Sequence, residues 1–488
     1  MSTIAPSPPL RADADTLFIG GRWHTAAGTY ERFDPALLER STGIFALATG
    51  EHVSAAYDAA AAAQPGWGTT PASQRAEILR LAGDGLEGRV DEAAQRLTAD
   101  MGKAIRDARA EVLRSVAILR YFAGELLQPI GETYASADPS TMLMTIEQPL
   151  GVVCAITPWN FPFAIPIWKL APALGFGNAV IWKPAEAASG SAVLLTETLA
   201  AAGLPEGVLN LVTGKGGALS SALTGDPRLA ALTFTGSGGV GTRLRQAVAD
   251  RNVKVQLELG GKNPAIVLAD ADLADAALQV VRGAMLSTGQ RCTATSRVYV
   301  ERTIGDRFIQ LLSQQAQKLV VGDPLDEATD VGPLASAEQR ETVAAYLKLA
   351  RDEDVEVILG ARIDDEGGCF AAPTILTRVS PDSALVREEI FGPVLVVEQV
   401  KDFEAAITAA NDTEFGLSSA LFTKDIAKAT SFIARTQSGV VHVNRETTDV
   451  EPHVPFGGLK GSSSMSREQG KAARQFFTTT KTVYLRST

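Results

Sequence analysis

The chain has 488 residues, 45% apolar and 21% charged, ordinary values for a globular protein with room for two or three domains. A formal charge of −11, with no basic cluster to override it, argues against nucleic acid as a partner. Three cysteines without paired spacing argue against a disulfide framework, and four scattered histidines (His24, His52, His442, His453) against a metal centre.

Residues 1–13 carry prolines and acids but no apolar core, which predicts a disordered tail and not a signal peptide. No stretch reaches the ~18 uninterrupted apolar residues of a membrane span, so the expected location is cytoplasmic. Residues 17–23 read as a short strand and hairpin, and 53–122 as amphipathic helices. Residues 130–148 read as a projecting extended arm. Strands are then expected at 151–157, 179–182, 208–212 and 232–235, alternating with helices that include 168–176 and 191–202. Past Glu258 the alternation resumes with a strand at 265–268, a helix at 274–286, a strand at 296–300 and a helix at 306–319. Later strands fall at 355–359, 372–376 and 394–400. Such alternation implies parallel sheets with covered faces. A helix at 468–477 leads into a strand at 478–486 outside any hairpin, which predicts pairing with another element or another subunit.

A lone cysteine is more often a small buried hydrophobe than a nucleophile. Cys154, in Gly151-Val152-Val153-Cys154-Ala155-Ile156, fits that description, and Cys369 reads as a loop-to-strand residue. Cys292 differs. It sits in the polar run Ser287-Thr288-Gly289-Gln290-Arg291-Cys292-Thr293, with a guanidinium beside it that would favour a thiolate. Upstream, a strand-like run stops at Glu258, in Glu258-Leu259-Gly260-Gly261-Lys262, and a carboxylate there can serve as a base for water.

Gly236-Ser237-Gly238-Gly239-Val240-Gly241 follows a strand and opens a predicted helix at 242–249, matching GxGxxG, whose glycines let backbone amides approach a pyrophosphate. In that fingerprint a carboxylate about 20 residues on binds the ribose. By spacing Glu258 suits that role as well as that of a base. Glu186, in Trp182-Lys183-Pro184-Ala185-Glu186, ends another strand and is a second ribose candidate, with Lys183 beside it.

Seven motifs in order resemble the NAD(P)-dependent aldehyde dehydrogenases over nearly the whole chain. They are Thr157-Pro158-Trp159-Asn160-Phe161-Pro162, Lys183-Pro184-Ala185-Glu186, Phe234-Thr235-Gly236-Ser237, Glu258-Leu259-Gly260-Gly261-Lys262, Gly289-Gln290-Arg291-Cys292, Glu389-Ile390-Phe391-Gly392-Pro393 and Pro455-Phe456-Gly457-Gly458. The resemblance implies an α/β fold with a Rossmann-like cofactor domain (14–127 and 149–257) and an α/β catalytic domain (258–472). A small β oligomerisation arm (128–148 and 473–488) would pair subunits into a homodimer or homotetramer. It implies that Cys292 attacks an aldehyde, that Asn160 and the Cys292 amide hold the oxyanion, and that Glu258 activates water, with Lys169 sharing a proton relay. Cofactor contacts would come from Thr157, Trp159, Lys183, Glu186, Gly236, Ser237, Glu389 and Phe391. Gly238 departs from the family's usual threonine and removes a hydroxyl contact. Glu258 and Cys292 together argue against an acyl transfer to coenzyme A and against a non-catalytic nucleotide-binding scaffold.

Glu186 would repel a 2′-phosphate, so NAD is expected, with NADP possible through Lys183. Within the family the residues look most like the α-ketoglutaric semialdehyde (2,5-dioxopentanoate) dehydrogenases, for example in Ile165-Pro166-Ile167-Trp168-Lys169 and in the run from His453 to Ser463. Succinate semialdehyde dehydrogenases match less well. Their substrate arginines would fall near Trp168 and Leu286, and their second cysteine where Thr293-Ala294-Thr295 stands. A carboxylated substrate needs a cation or donors, with Arg291, Arg445 and the serines at 462–464 as candidates. The tunnel walls expected are Phe161, Phe163, Trp168, Leu286 and Phe456, with Arg291 as a further substrate contact; if no cation faces the tunnel, these walls would suit a longer aliphatic or aromatic aldehyde.

Overall fold

Runs such as Val152–Thr157 and Ala179–Pro184 are apolar nearly throughout because helices cover both faces of the sheet they enter. The computed structural model describes residues 15–364 and 367–486, and the tail expected over 1–13 lies outside them. The first sheet has seven strands in the order Lys254–Glu258, Leu229–Thr235, Val152–Thr157, Ala179–Pro184, Leu209–Leu211, Leu17–Ile19 and Arg22–His24. Its first five strands are parallel, and the Leu17–His24 hairpin closes one edge antiparallel. Residues expected to form helices over 53–122 do so as Gly50–Thr69, Ala72–Glu87, Val90–Met101 and Ile105–Glu125. They bury Leu79, Leu97, Val112 and Phe122 against Leu170 and Leu174 of the helix Ala164–Gly175.

A second seven-stranded sheet runs Glu356–Leu359, Thr374–Thr377, Val394–Val400, Thr295–Glu301, Asn263–Val267, Ser418–Phe422 and Val440–Val443. All its pairings are parallel except that of Glu356–Leu359, the edge strand. The last strand, Thr478–Arg486, pairs antiparallel with Thr141–Pro149, from Thr478 opposite Pro149 to Arg486 opposite Thr141. Thr133–Tyr134 adds a third strand. This small sheet leaves Tyr134, Met142, Tyr484 and Leu485 exposed.

Boundaries moved where helices start. The helix expected at 168–176 begins at Ala164, because Phe161 and Phe163 carbonyls already accept helical bonds from Ile165 and Ile167. The glycine-loop helix spans Gly238–Gln246 and not 242–249, so Gly239 and Gly241 lie in the helix. Leu259 Cδ2 would come within 2.7 Å of a Cβ at Gly241, so that glycine serves packing.

Candidate active site

Parallel strands place their carboxyl ends together. Thr235 lies opposite Glu258, and Thr157 opposite Pro184, so the loops that follow gather at one edge of the first sheet. That edge is where open α/β sheets bind ligands. The second sheet contributes Cys292, just before Thr295–Glu301, and Glu389 and Phe391, just before Val394–Val400. Asn263 ties the Cys292 loop to the neighbouring strand Ser418–Phe422: its Nδ2 donates to the carbonyls of Cys292 (2.8 Å) and Ala294 (2.9 Å), and its Oδ1 accepts from the Ser418 amide (2.9 Å).

The approach to Cys292 is strained. Ser287 (φ 52°), Thr288 (φ 58°) and Gly289 (φ 65°) are consecutive left-handed residues, at about 1 kcal/mol or more for each of the two with a Cβ. Ser287 Oγ donating to Asp107 (3.0 Å) and Thr288 Oγ1 donating to the Gly332 carbonyl (2.9 Å) hold them there. Gly289 admits no side chain, since a Cβ would stand 2.3 Å from the Gly392 carbonyl oxygen.

Cys292 lines two cavities. One, of about 230 Å³, is bounded by Trp159, Asn160, Gly236, Ser237, Glu389 and Phe391. The other, of about 570 Å³, includes Phe161, Trp168, Arg291 and Phe456, together with Arg114 and Lys103. Trp159 and Phe391 meet edge to face at 5.4 Å, and the rings of Trp168 and Phe456 lie tilted to one another at the same separation. Phe391 reaches its place through a left-handed backbone (φ 56°).

Around the first cavity, Ser237 caps the helix Gly238–Gln246 without spending its hydroxyl on the cap, which leaves helix amides and a hydroxyl for an anion. Glu389 accepts from the Gly261 amide at 2.9 Å, and burial pushes its carboxyl up to about 7 against the pull of Lys262. Lys183 is buried, which holds its ammonium below the usual lysine range, with Glu186 opposing that shift. It makes no hydrogen bond to another described residue, so its donors are available to a bound diol. Thr157 faces elsewhere: its hydroxyl accepts from Trp182 Nε1 at 2.9 Å, and it lines neither cavity.

Asn160 is buried, with one amide hydrogen on the Gln290 carbonyl (3.1 Å) and the other unspent. Its own carbonyl accepts from Lys103 Nζ at 2.8 Å. Burial pushes the Cys292 thiol up to about 12, helped by the charges of Glu389 and Glu258. Arg291 does not offset this as its sequence neighbourhood suggested. Its guanidinium turns to Thr448 (3.1 Å), Ser287 (3.0 Å) and Asp107 (3.4 Å).

Glu258 is buried at the end of its strand, and its Oε2 accepts from Ser463 Oγ at 2.5 Å. Burial, then the Glu468 carboxylate, raises its proton affinity well above that of a free glutamate. Lys169, fully buried, is not bonded to Glu258. It donates to Glu468 and, at 2.9 Å, to Thr233 Oγ1, which in turn donates to Gln256 at 2.9 Å. Glu468 was missing from the sequence reading, because nothing local marks a carboxylate 299 positions from its lysine.

Six substrate candidates do not reach the larger cavity. Phe163 is fully buried in the core beneath its helix, and Leu286 lies outside the lining. Arg445 is exposed and paired with Asp449. Ser463 and Ser464 brace the Glu258 strand instead, Ser463 donating to Glu258 and Ser464 Oγ accepting from the Leu257 amide (3.0 Å), while Ser462 Oγ accepts from the Gly416 amide (3.0 Å). Cys154 and Cys369 are fully buried in apolar clusters.

The sequence matches the aldehyde dehydrogenase family over residues 23–483. It is 42% identical over 475 residues to an alpha-ketoglutaric semialdehyde dehydrogenase of Bacillus subtilis, covering 96% of this chain and 97% of that one. It is 39% identical over 470 residues to a 2,5-dioxopentanoate dehydrogenase of Saccharolobus solfataricus, covering 96% and 98%. The fold superposes on the crystal structure of an NAD-dependent aldehyde dehydrogenase from Sinorhizobium meliloti with a TM-score of 0.94 at 34% identity, covering 97% and 95%. It also superposes on a betaine aldehyde dehydrogenase from Staphylococcus aureus in complex with NAD+, with a TM-score of 0.93 at 31% identity, covering 96% and 94%. With its paired parallel sheets and the motif order intact, the chain belongs to the aldehyde dehydrogenase family.

Proposed function

We propose that the protein oxidises 2,5-dioxopentanoate to the dicarboxylic acid with NAD, through a thioester on Cys292. The observation that carries this is the position of Cys292 at the meeting of two cavities, one suited to a dinucleotide and one holding cations beside an apolar wall. The relatives named for this substrate support the choice of aldehyde. An aromatic wall of Phe161, Trp168 and Phe456 favours a second reading, a broad aliphatic or aromatic aldehyde dehydrogenase.

The first cavity fits part of the cofactor by its donor set, Ser237 and the helix amides for a pyrophosphate and Glu389 for the second ribose; Lys183 and Glu186, which lie outside its lining, would take the adenosine ribose. Bound NAD supplies the hydride acceptor. In the protein, Cys292 Sγ loses its proton and attacks the aldehyde carbon, and the oxygen that becomes negative is met by the unspent Asn160 hydrogen and the Cys292 amide. Departure of hydride leaves the thioester. Glu258, as carboxylate, then takes a proton from water while the oxygen attacks, and Cys292 leaves as the acid departs. Lys169 and Glu468 hold a buried charge pair near Glu258 and bias its protonation. The balance is one aldehyde, one water and one NAD+ to one carboxylate, one NADH and two protons. Like its family, the chain is expected to form oligomers, here a homodimer or homotetramer through the small sheet.

Gly260 tests the Glu389 assignment. A Cβ there would stand 2.1 Å from Glu389 Oε2, so Gly260→Ala must displace that carboxylate. The expected result is a rise of about tenfold in KM for NAD, the loss of one charge-assisted hydrogen bond, read from initial rates at saturating aldehyde.

The function itself is tested by initial rates of NADH and NADPH formation over 2,5-dioxopentanoate, succinate semialdehyde, hexanal and benzaldehyde. The expected result is the highest kcat/KM for 2,5-dioxopentanoate, with NAD. A preference for hexanal or benzaldehyde would replace the first reading by the second.

A further inference from the structure

Three cations line the larger cavity: Lys103, Arg114 and Arg291. They differ in how fully their donors are used. Lys103 is satisfied by Glu111 (2.5 Å) and the Asn160 carbonyl (2.8 Å), and its ammonium lies 3.7 Å from the centre of the Phe161 ring. Arg291 is pinned at both terminal nitrogens by Thr448, Ser287 and Asp107, yet its Nε is buried without an acceptor. Arg114, on the helix Ile105–Glu125, makes no hydrogen bond or ion pair to another described residue, and its Nε is also buried and unpartnered.

Two orphaned guanidinium donors in one cavity are costly unless something binds them, because an unmet buried donor forfeits its solvation. The acids of the wall do not serve. Glu111 is spent on Lys103 and on the amides of Phe163 (2.9 Å) and Ala164 (3.2 Å), and Asp107 on Ser287 and Arg291. Glu451, the remaining acid of the wall, is exposed to water, and Asp449, the other acid that acts on Arg114, is paired with Arg445.

We infer that Arg114, assisted by Arg291, binds the α-keto carboxylate of the substrate and sets the specificity of the enzyme for carboxylated aldehydes. The inference rests on the proposed reaction at Cys292. In 2,5-dioxopentanoate the aldehyde and carboxylate carbons are four bonds apart, about 5 Å when extended, so a substrate attacked at Cys292 keeps its carboxylate inside the same cavity. The planar fork of arginine accepts a carboxylate, with its neighbouring keto oxygen, through parallel N–H bonds. Sequence reading missed Arg114 because it lies in a helix rich in exposed arginines and glutamates, where a surface ion pair is the ordinary expectation.

The test uses the full-length enzyme with Arg114→Leu and Arg114→Lys. Its first readout is the ratio of kcat/KM for 2,5-dioxopentanoate to that for pentanal, in which any loss of folded enzyme cancels. The ratio is expected to fall about 30-fold in the leucine variant and less in the lysine variant, which keeps charge but not the fork. The second readout is inhibition of pentanal oxidation by 2-oxopentanoate, which carries the keto acid but no aldehyde. Its Ki is expected to rise about tenfold or more with Arg114→Leu. A wild-type preference for 2,5-dioxopentanoate that Arg114→Leu leaves unchanged overturns the anchor and keeps the reaction. If the wild type shows no such preference, the substrate reading fails, and 2-oxopentanoate decides the anchor: weaker inhibition in Arg114→Leu supports it, and unchanged inhibition overturns it.

Discussion

Cys292→Ala is expected to lose aldehyde oxidation by about 10⁴-fold or more in kcat, with NADH formation as the readout. Without Sγ there is no tetrahedral adduct, and hydride departs only from a carbon already bearing negative oxygen. The other thiols provide the control. Cys154 and Cys369 are fully buried in apolar clusters and line neither cavity, and burial pushes the Cys154 thiol up to about 12. Cys154→Ala and Cys369→Ala are therefore expected to keep kcat and to lose some stability. Iodoacetamide should inactivate the wild type by alkylating Cys292, the cysteine that lines the cavities. Equal loss of activity in Cys154→Ala and Cys292→Ala would contradict the assignment.

Glu258→Gln is expected to separate the two halves of the reaction. Glutamine keeps the shape and can still meet Ser463 Oγ, but it takes no proton from water. One equivalent of NADH should form in a burst, and steady turnover should then fall by about 10² to 10⁴-fold, the usual worth of a general base. The direction of the pH dependence follows from the same carboxyl. Burial and the Glu468 charge hold Glu258 protonated above the ordinary glutamate range, and only its ionised form is a base. Steady-state turnover of the wild type should therefore rise with pH as Glu258 loses its proton. That limb should be missing in Glu258→Gln. A variant with no burst would place Glu258 before hydride transfer.

Much of this was legible in the chain because its signals are local. The parallel strands announce themselves as short apolar runs between helices, and Val394–Val400 and Thr478–Arg486 fall where alternation and β-branching put them. The Thr29–Asp34 and Leu37–Ala46 hairpin went unread, since its strands interleave charged and apolar residues and leave Phe33 and Ile44 exposed. Site residues carried by a motif, such as Asn160, Cys292 and Glu389, come together around the cavities. Those whose role depends on a distant partner were invisible. Ser463 meets Glu258 across 205 positions, and Glu468 meets Lys169 across 299. Phe163 and Leu286 show the converse. Both are apolar beside the site, and only the helix phase and the left-handed turn after Leu286 decide that they miss the cavity. The closeness of Arg291 to Cys292 in sequence misled in the same way, because adjacent side chains need not face one another.

The chemical state of Cys292 during turnover distinguishes covalent catalysis from every alternative most directly. Glu258→Gln enzyme, mixed with NAD and 2,5-dioxopentanoate, quenched in acid and digested, should yield the Cys292 peptide heavier by the mass of the aldehyde less two hydrogens, in proportion to the NADH formed. That thioester should be absent when NAD is omitted. NADH formation with an unmodified Cys292 peptide, or the adduct on Cys154 or Cys369, would contradict it.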